Sequence, residues 1–201
     1  MKGSWDDRYA PEEYIYGVHP NDWFRQVVDN LPPGRMLVPG AGEGRDAVYA
    51  ATRGWEVTAF DQSSRGREKA LRLAALHGAC LDYRLADAKH FDPAPLSFDL
   101  VALIYVHLPL SWRHAFHRRI REALSPGGFL LLEAFTPDQI PNDSGGPKDP
   151  DLLYTPEQLR QEFAGLEIIE NRKTTIVLEE GLYHSGPAEV VRFLGTKNTN
   201  T

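Results

Sequence analysis

The chain has 201 residues, with 28 Asp and Glu against 22 Lys and Arg, giving a formal net charge of −6. That length suits one domain with a full core, and the negative balance disfavours a nucleic-acid backbone as a general partner. The single cysteine, Cys80, excludes an intrachain disulfide and a cysteine-based metal cluster, and fits the reducing cytoplasm. No apolar run approaches the ~18 residues of a membrane span, and no signal-peptide pattern opens the chain.

In chain order, an aromatic segment from Trp5 to Phe24 comes first. It leads into a short helix predicted from about Asn21 to Asn30, capped by Asn21 and stopped by Pro32-Pro33. A strand is predicted at Arg35 to Val38, a helix from about Gly44 to Thr52, and a second strand ending at Asp61. Ser63 caps a long helix to about His77, with Leu71, Ala74, Ala75 and Leu76 as its buried candidates. A third strand spans Asp82 to Leu85. A fourth, Phe98 to Ile104, is nearly all apolar, as a strand covered on both faces should be. A helix from Ser111 to Leu124 carries Trp112, Phe116, Ile120 and Ala123 on one stripe. A fifth strand, Phe129 to Ala134, is followed by a Pro-, Gly- and Asp-rich segment from Thr136 to Tyr154. Thr155, Pro156 and Gln158 then start a short helix. Two last strands, about Leu166 to Leu178 and Glu189 to Gly195, flank the turn-rich EEGLYHSGP and should pair antiparallel.

The richest stretch is GRMLVPGAGEGRDAVYAATRGWEVTAFD, from Gly34 to Asp61. It reads as strand, glycine turn, helix, strand, acid. Such a turn lies beyond the C-terminal end of a strand, at the ligand edge of an open α/β sheet. Asp61 ends the neighbouring strand, where a carboxylate can accept hydrogen bonds from a ribose diol. The helix N-terminus suits an anionic group. The spacing departs from the dinucleotide fingerprint, because Arg45 stands where its third glycine would be. That disfavours a nicotinamide oxidoreductase.

The glycines at 40, 42 and 44 with Asp61 resemble motif I of the class I S-adenosylmethionine (SAM) dependent methyltransferases. The likeness continues through LADAKHFD, FDLVALIYVHLP, LSPGGFLLLEAF and the final hairpin. It implies an α/β, Rossmann-like, mostly parallel seven-stranded sheet in the order 3-2-1-4-5-7-6, with strand 7 antiparallel and helices on both faces. It also implies one methyltransferase domain over 1–201, with residues 1–30 as a lid segment and 196–201 as a frayed tail. More narrowly, WDDRYAPEEYIYGVHPNDWF and SGGPKDPDLLYT resemble the tellurite-resistance and thiopurine methyltransferase branch, which methylates small molecules under an N-terminal lid.

The resemblance assigns Gly40, Ala41, Gly42, Asp61, Gln62, Asp87, Ala88 and Tyr105 to cofactor binding. Asp87 can take the adenine amine while the Ala88 N–H donates to the ring; alternatively Asp87 caps its own turn. Gln62 stands where the family packs an apolar side chain on the adenine. Ile104-Tyr105-Val106-His107 lacks the Asn/Asp-Pro-Pro-aromatic pattern of nucleic-acid amino methyltransferases. His107 is a candidate base or a helix-entry histidine. His184 and Arg192, placed near the ligand end of the last hairpin, are candidate catalytic or oxyanion-binding groups, with Arg45 beside them. Trp5, Tyr9, Tyr14, Tyr16 and Trp23 form an aromatic lid or a docked hydrophobic patch. The expectation is a SAM-dependent enzyme that methylates a thiol, selenium or tellurium species or a small anion. It needs no metal, nucleic acid or membrane. A non-catalytic SAM-binding module is the alternative.

Overall fold

The computed structural model describes residues 5–199. Its elements run α1 (Trp5–Arg8), α2 (Asp22–Val28), β1 (Arg35–Pro39), α3 (Arg45–Thr52), β2 (Glu56–Asp61), α4 (Ser64–Leu76) and β3 (Asp82–Leu85). They continue with β4 (Phe98–Ile104), α5 (Leu110–Ala123), β5 (Leu124–Phe135), α6 (Pro156–Glu162), β6 (Leu166–Glu179) and β7 (Ser185–Lys197). The strands form a seven-stranded sheet in the order β3-β2-β1-β4-β5-β7-β6. β7 is antiparallel to both its neighbours. This is the fold that the resemblance to the class I methyltransferases implies. Among the described residues, no helix is long and apolar enough to cross a membrane.

The chain divides into two compact units. The first ends at Phe91 and includes Glu180–Tyr183; the second takes Asp92–Glu179 and continues from His184. In the first, β1 and β2 pair in parallel and bury Met36, Leu37, Val38, Val57, Ala59 and Phe60. A run apolar on both strand faces is what a sheet covered on both sides requires. Ser63 caps α4 by accepting from the Gly66 N–H at 3.0 Å. The buried face of α4 is Gly66, Lys69, Ala70, Leu73 and Ala74. The predicted Leu71 is half-buried, and Ala75 and Leu76 are exposed. Lys69 holds the inward stripe because its ammonium finds a buried carboxylate.

In the second unit, β4 and β5 pair in parallel and bury Leu100–Leu103 against Leu130–Leu132. The α5 stripe keeps the expected Phe116, Ile120 and Ala123 and widens to Arg113 and His117. It buries Arg113, Phe116, His117, Ile120 and Ala123, while Trp112 is half-buried. Thr155 and Gln158 form the predicted capping box of α6. β5 starts at Leu124, earlier than predicted.

The final hairpin is longer than its sequence suggests, since β6 and β7 pair from Glu179↔Ser185 to Leu166↔Lys197. Gly186 and Pro187 therefore lie inside β7. The Pro187 carbonyl accepts from the Ser144 hydroxyl, so it points away from β6. The proline nitrogen shares that side, and no ladder hydrogen bond is lost. Thr196 and Lys197, expected in the tail, are the end of β7, and Lys197 Nζ donates to the Leu124 carbonyl at 2.8 Å. Residues 200–201 of that tail lie outside the described residues.

Candidate functional site

The glycine turn follows β1 directly. At Gly42 (φ +52°) the backbone is left-handed, and a Cβ would lie 2.5 Å from the Tyr9 hydroxyl. Only glycine meets both conditions. The Gly42 N–H donates to Asp61 Oδ2 at 3.0 Å, and its carbonyl accepts from the Tyr83 hydroxyl at 2.6 Å.

Asp61 is buried at the end of β2, and its Oδ1 accepts from the Ser63 N–H at 2.8 Å. Burial pushes its carboxyl up from the ordinary range, while the N–H groups of Ser63, Gly42 and Gln62 pull it down. A carboxylate has about four acceptor sites, so these donors orient it and leave capacity for a diol. The side chain and the close-approach turn fit a nucleoside. Gln62, next to it, is exposed.

Beyond β3, Asp87 Oδ1 accepts from the Lys89 N–H at 2.8 Å, so Asp87 caps its own turn. Ala88 is half-buried. Phe91 stacks on Phe60 with centroids 3.9 Å apart, a contact without a sequence signal.

The N-terminal segment is tied to the glycine turn by charges that sequence reasoning missed. Glu43 Oε2 accepts from the Ile15 N–H at 2.8 Å, and Glu43 Oε1 pairs with Lys69 Nζ at 2.5 Å. Lys69 also donates to the Pro11 and Glu13 carbonyls at 2.8 and 2.6 Å. Asp46 accepts from the Asn21 N–H at 2.8 Å. Of the expected aromatic lid, Trp5 is 42% exposed and stacks on Tyr9, and Tyr16 meets Tyr9 edge-on. Tyr14 donates to the Lys69 carbonyl, and Trp23 is buried. Arg8 donates to the Tyr16 hydroxyl at 2.8 Å and lies over the Trp5 and Tyr183 rings.

Arg45 does not stand ready for an oxyanion. Its guanidinium donates to Glu180 Oε2 at 2.8 Å and to the Tyr16 carbonyl at 3.0 Å. Glu180 also accepts from Asn21 Nδ2 at 3.1 Å. Next to it, Gly181 (φ +81°) presses on the Ile15 carbonyl, 2.4 Å from where a Cβ would lie. The tip of the last hairpin is thus clasped to the N-terminal segment, over sequence distances that conceal the partners.

In the second unit, Tyr105 follows β4 with φ +54°. Its ring stacks on Phe135 and meets His184 edge-on, with centroids 4.8 and 4.7 Å apart. Its hydroxyl donates to Glu133 Oε1 at 2.9 Å. Arg192 Nε donates to Glu133 Oε2 at 2.6 Å. Arg192 therefore faces a carboxylate that sequence reasoning passed over, and it sits mid-strand in β7 rather than at its start.

Both ring nitrogens of His107 meet the backbone. Its Nδ1 is 2.8 Å from the Leu152 carbonyl, and its Nε2 accepts from the Phe135 N–H at 3.5 Å. Part of the residue's surface is exposed, yet protein packs round the ring and burial pushes its pKa down to about 4. The imidazole is neutral near pH 7, with both nitrogens engaged.

This depression has a stability consequence. The unfolded chain binds the proton more readily, so His107 contributes stability that is present above its ordinary value of 6.5 and lost as pH falls through about 4. The full loss is about 3 kcal/mol. His107→Gln should shrink the difference in unfolding free energy between pH 7 and pH 4, measured by urea titration. An unchanged difference would assign that acid limb to other groups.

Residues 37–128 match the family model of a methyltransferase domain. That segment holds the glycine turn, Asp61 and Tyr105. The match spans a little under half of the chain. No curated protein matches the chain by sequence. Among solved structures, one is from work on the conversion of a disulfide bond into a thioacetal group during echinomycin biosynthesis. It is 18% identical with TM-score 0.80, over 98% of this chain and 91% of that one. TehB from Haemophilus influenzae is 15% identical with TM-score 0.73, over 96% of this chain and 66% of that one. A SAM-dependent methyltransferase from Methanosarcina mazei is 17% identical with TM-score 0.64, over 86% and 97%. At these identities the likeness shows the fold.

Proposed function

We propose that this protein is a SAM-dependent methyltransferase for a small molecule whose methyl acceptor is a soft atom, a thiol sulfur before any other. The observation that carries the cofactor is Asp61, held by backbone N–H groups at the tip of β2 beside the left-handed Gly42. When bound, SAM supplies an activated methyl group. The chain's own residues bind, orient and exclude water. Asp61 accepts from the ribose hydroxyls, the turn at Gly40, Ala41 and Gly42 lets the backbone approach, and Tyr9 walls the turn against solvent.

Three features support a neutral, soft acceptor. Arg45 and Arg192 each face a carboxylate, Glu180 and Glu133, so neither argues for an anion. Both His107 nitrogens meet the backbone, which leaves it a poor general base, and a thiol needs less help with deprotonation than an alcohol. The Tyr105, Phe135 and His184 rings suit a polarisable sulfur. The solved neighbour from echinomycin biosynthesis concerns sulfur as well. The opening segment that resembles the tellurite-resistance and thiopurine branch points the same way, with selenium and tellurium species as further acceptors.

The test has two parts. Asp61→Ala should weaken SAM by about 1–3 kcal/mol in calorimetric titration, the range for a lost charge-assisted hydrogen bond. Its circular dichroism should match the parent. Unchanged affinity would remove Asp61 from the site. The parent should release S-adenosylhomocysteine with members of a thiol and chalcogen-oxyanion panel. SAM binding without any release would favour the non-catalytic module.

A further inference from the structure

Tyr105 and Leu96 are the non-glycine residues with positive φ among those described. A left-handed tyrosine is strained, and it persists only where its surroundings over-determine it. At Tyr105 Glu133 contributes two holds, beside the Phe135 and His184 rings. The Tyr105 N–H donates to the Glu133 carbonyl at 2.8 Å, and the Tyr105 hydroxyl donates to the Glu133 side chain at 2.9 Å. One residue therefore grips both ends of the other.

Glu133 is an odd residue for its place. It is fully buried in β5, between Ile104 and Arg192, in the otherwise apolar run FLLLEAF. An aliphatic side chain there would avoid the desolvation of a carboxylate, which pairing with Arg192 only offsets. Stability alone does not account for the ion pair.

We propose that Glu133 is a positioning residue for methyl transfer. It fixes the Tyr105 ring against Phe135 and His184, and Arg192 is the counter-charge that lets a carboxylate sit inside the sheet. This rests on the methyltransferase reading and deepens it. Arg192 becomes part of the support under an aromatic acceptor wall, not a ligand for an anionic substrate.

Two variants separate positioning from bulk stability. Tyr105→Phe removes the hydroxyl and keeps the ring. Glu133→Leu combined with Arg192→Met removes carboxylate and guanidinium together, so neither charge is left alone. The readouts are S-adenosylhomocysteine release, SAM affinity by calorimetry and melting temperature. Each variant should lower kcat roughly ten- to a hundredfold, as misplaced groups do. SAM affinity should stay within error in Glu133→Leu with Arg192→Met. The triple variant should be no slower than the slower of the two, because both cut one linkage.

A parental kcat in Tyr105→Phe would overturn the proposal. Multiplying losses in the triple variant would do the same. Should Glu133→Leu with Arg192→Met fail to fold, Tyr105→Phe decides the matter alone. A parent that binds SAM but methylates nothing in the panel would instead overturn the methyltransferase reading, and this inference with it.

Discussion

Glu162→Ala should lower the unfolding free energy by about 3–5 kcal/mol, the cost of leaving a buried charge without its partner. The charge is Arg113, whose side chain is 0% exposed and sends Nε and Nη2 to Glu162 at 3.0 and 2.6 Å. His117 Nδ1 lies 2.5 Å from the other carboxylate oxygen, while its Nε2 is buried without a hydrogen-bond partner. Alanine would orphan three donors at once, in a cluster that joins α5 to α6. Urea denaturation midpoints measure the loss. A change under about 1 kcal/mol, the size of an exposed pair, would mean that water reaches the site.

The same cluster predicts a pH limb. Burial pushes the Glu162 carboxyl up, but hydrogen bonds from His117 and Arg113 outweigh it and hold the pKa below the ordinary 4.5. Burial holds the His117 imidazole below 6.5, against the pull of Glu162. Both depressions act in one direction. The stability is present above each ordinary value and fades as pH falls through the folded-state value. Below the carboxyl's ordinary 4.5, Glu162→Ala should therefore lose less on acidification than the parent does.

Lys69→Met is the second large effect, and it should be local. The ammonium neutralises Glu43 and bonds two carbonyls of the N-terminal segment. Methionine fills the space, but it leaves a buried carboxylate facing unbonded carbonyls. The expected cost is about 3 kcal/mol or more, drawn from the contacts of residues 11–16. Opening of that segment should rise on the order of a hundredfold, at about 1.4 kcal/mol per factor of ten. Tryptic cutting after Arg8 reads this out, because cleavage tracks the population of the open form. Equal cutting in parent and variant would show that the segment is held by its apolar contacts, Ile15 and Tyr9, and not by the ammonium.

The parallel strands were legible because a strand covered on both faces is an apolar run, as at Phe98–Ile104. Asp61 and Gly42 were legible because their partnership is a matter of short spacing within one βαβ unit. Buried charges were not. Lys69, Arg113 and Glu162 lie on helix stripes that read as amphipathic edges, Glu133 interrupts an apolar strand, and each meets an opposite charge from elsewhere in the chain. The extent of β7 was hidden for a different reason. Gly186-Pro187 is a strong turn signal, and only the direction of the Pro187 carbonyl makes it acceptable in a strand. Arg45 and Arg192 were singled out as cations, but their carboxylates, Glu180 and Glu133, carry no local sequence mark.

The clasp between Glu180–Tyr183 and the N-terminal segment also dictates an order of assembly. The segment from Ile15 to Asn21 is made well before its fasteners, Glu180 and Gly181. Until they emerge, Arg45 has no Glu180, and the Ile15 carbonyl lacks the Leu182 N–H that meets it at 2.9 Å. Closing so long a loop is slow compared with pairing neighbouring strands. The β1–β2 pair can therefore form on the nascent chain, while the clasp on the N-terminal segment closes only once Glu180–Tyr183 have been made. A chain halted before Glu180 would carry the glycine turn and Asp61 but hold its first residues loosely, as a target for proteases.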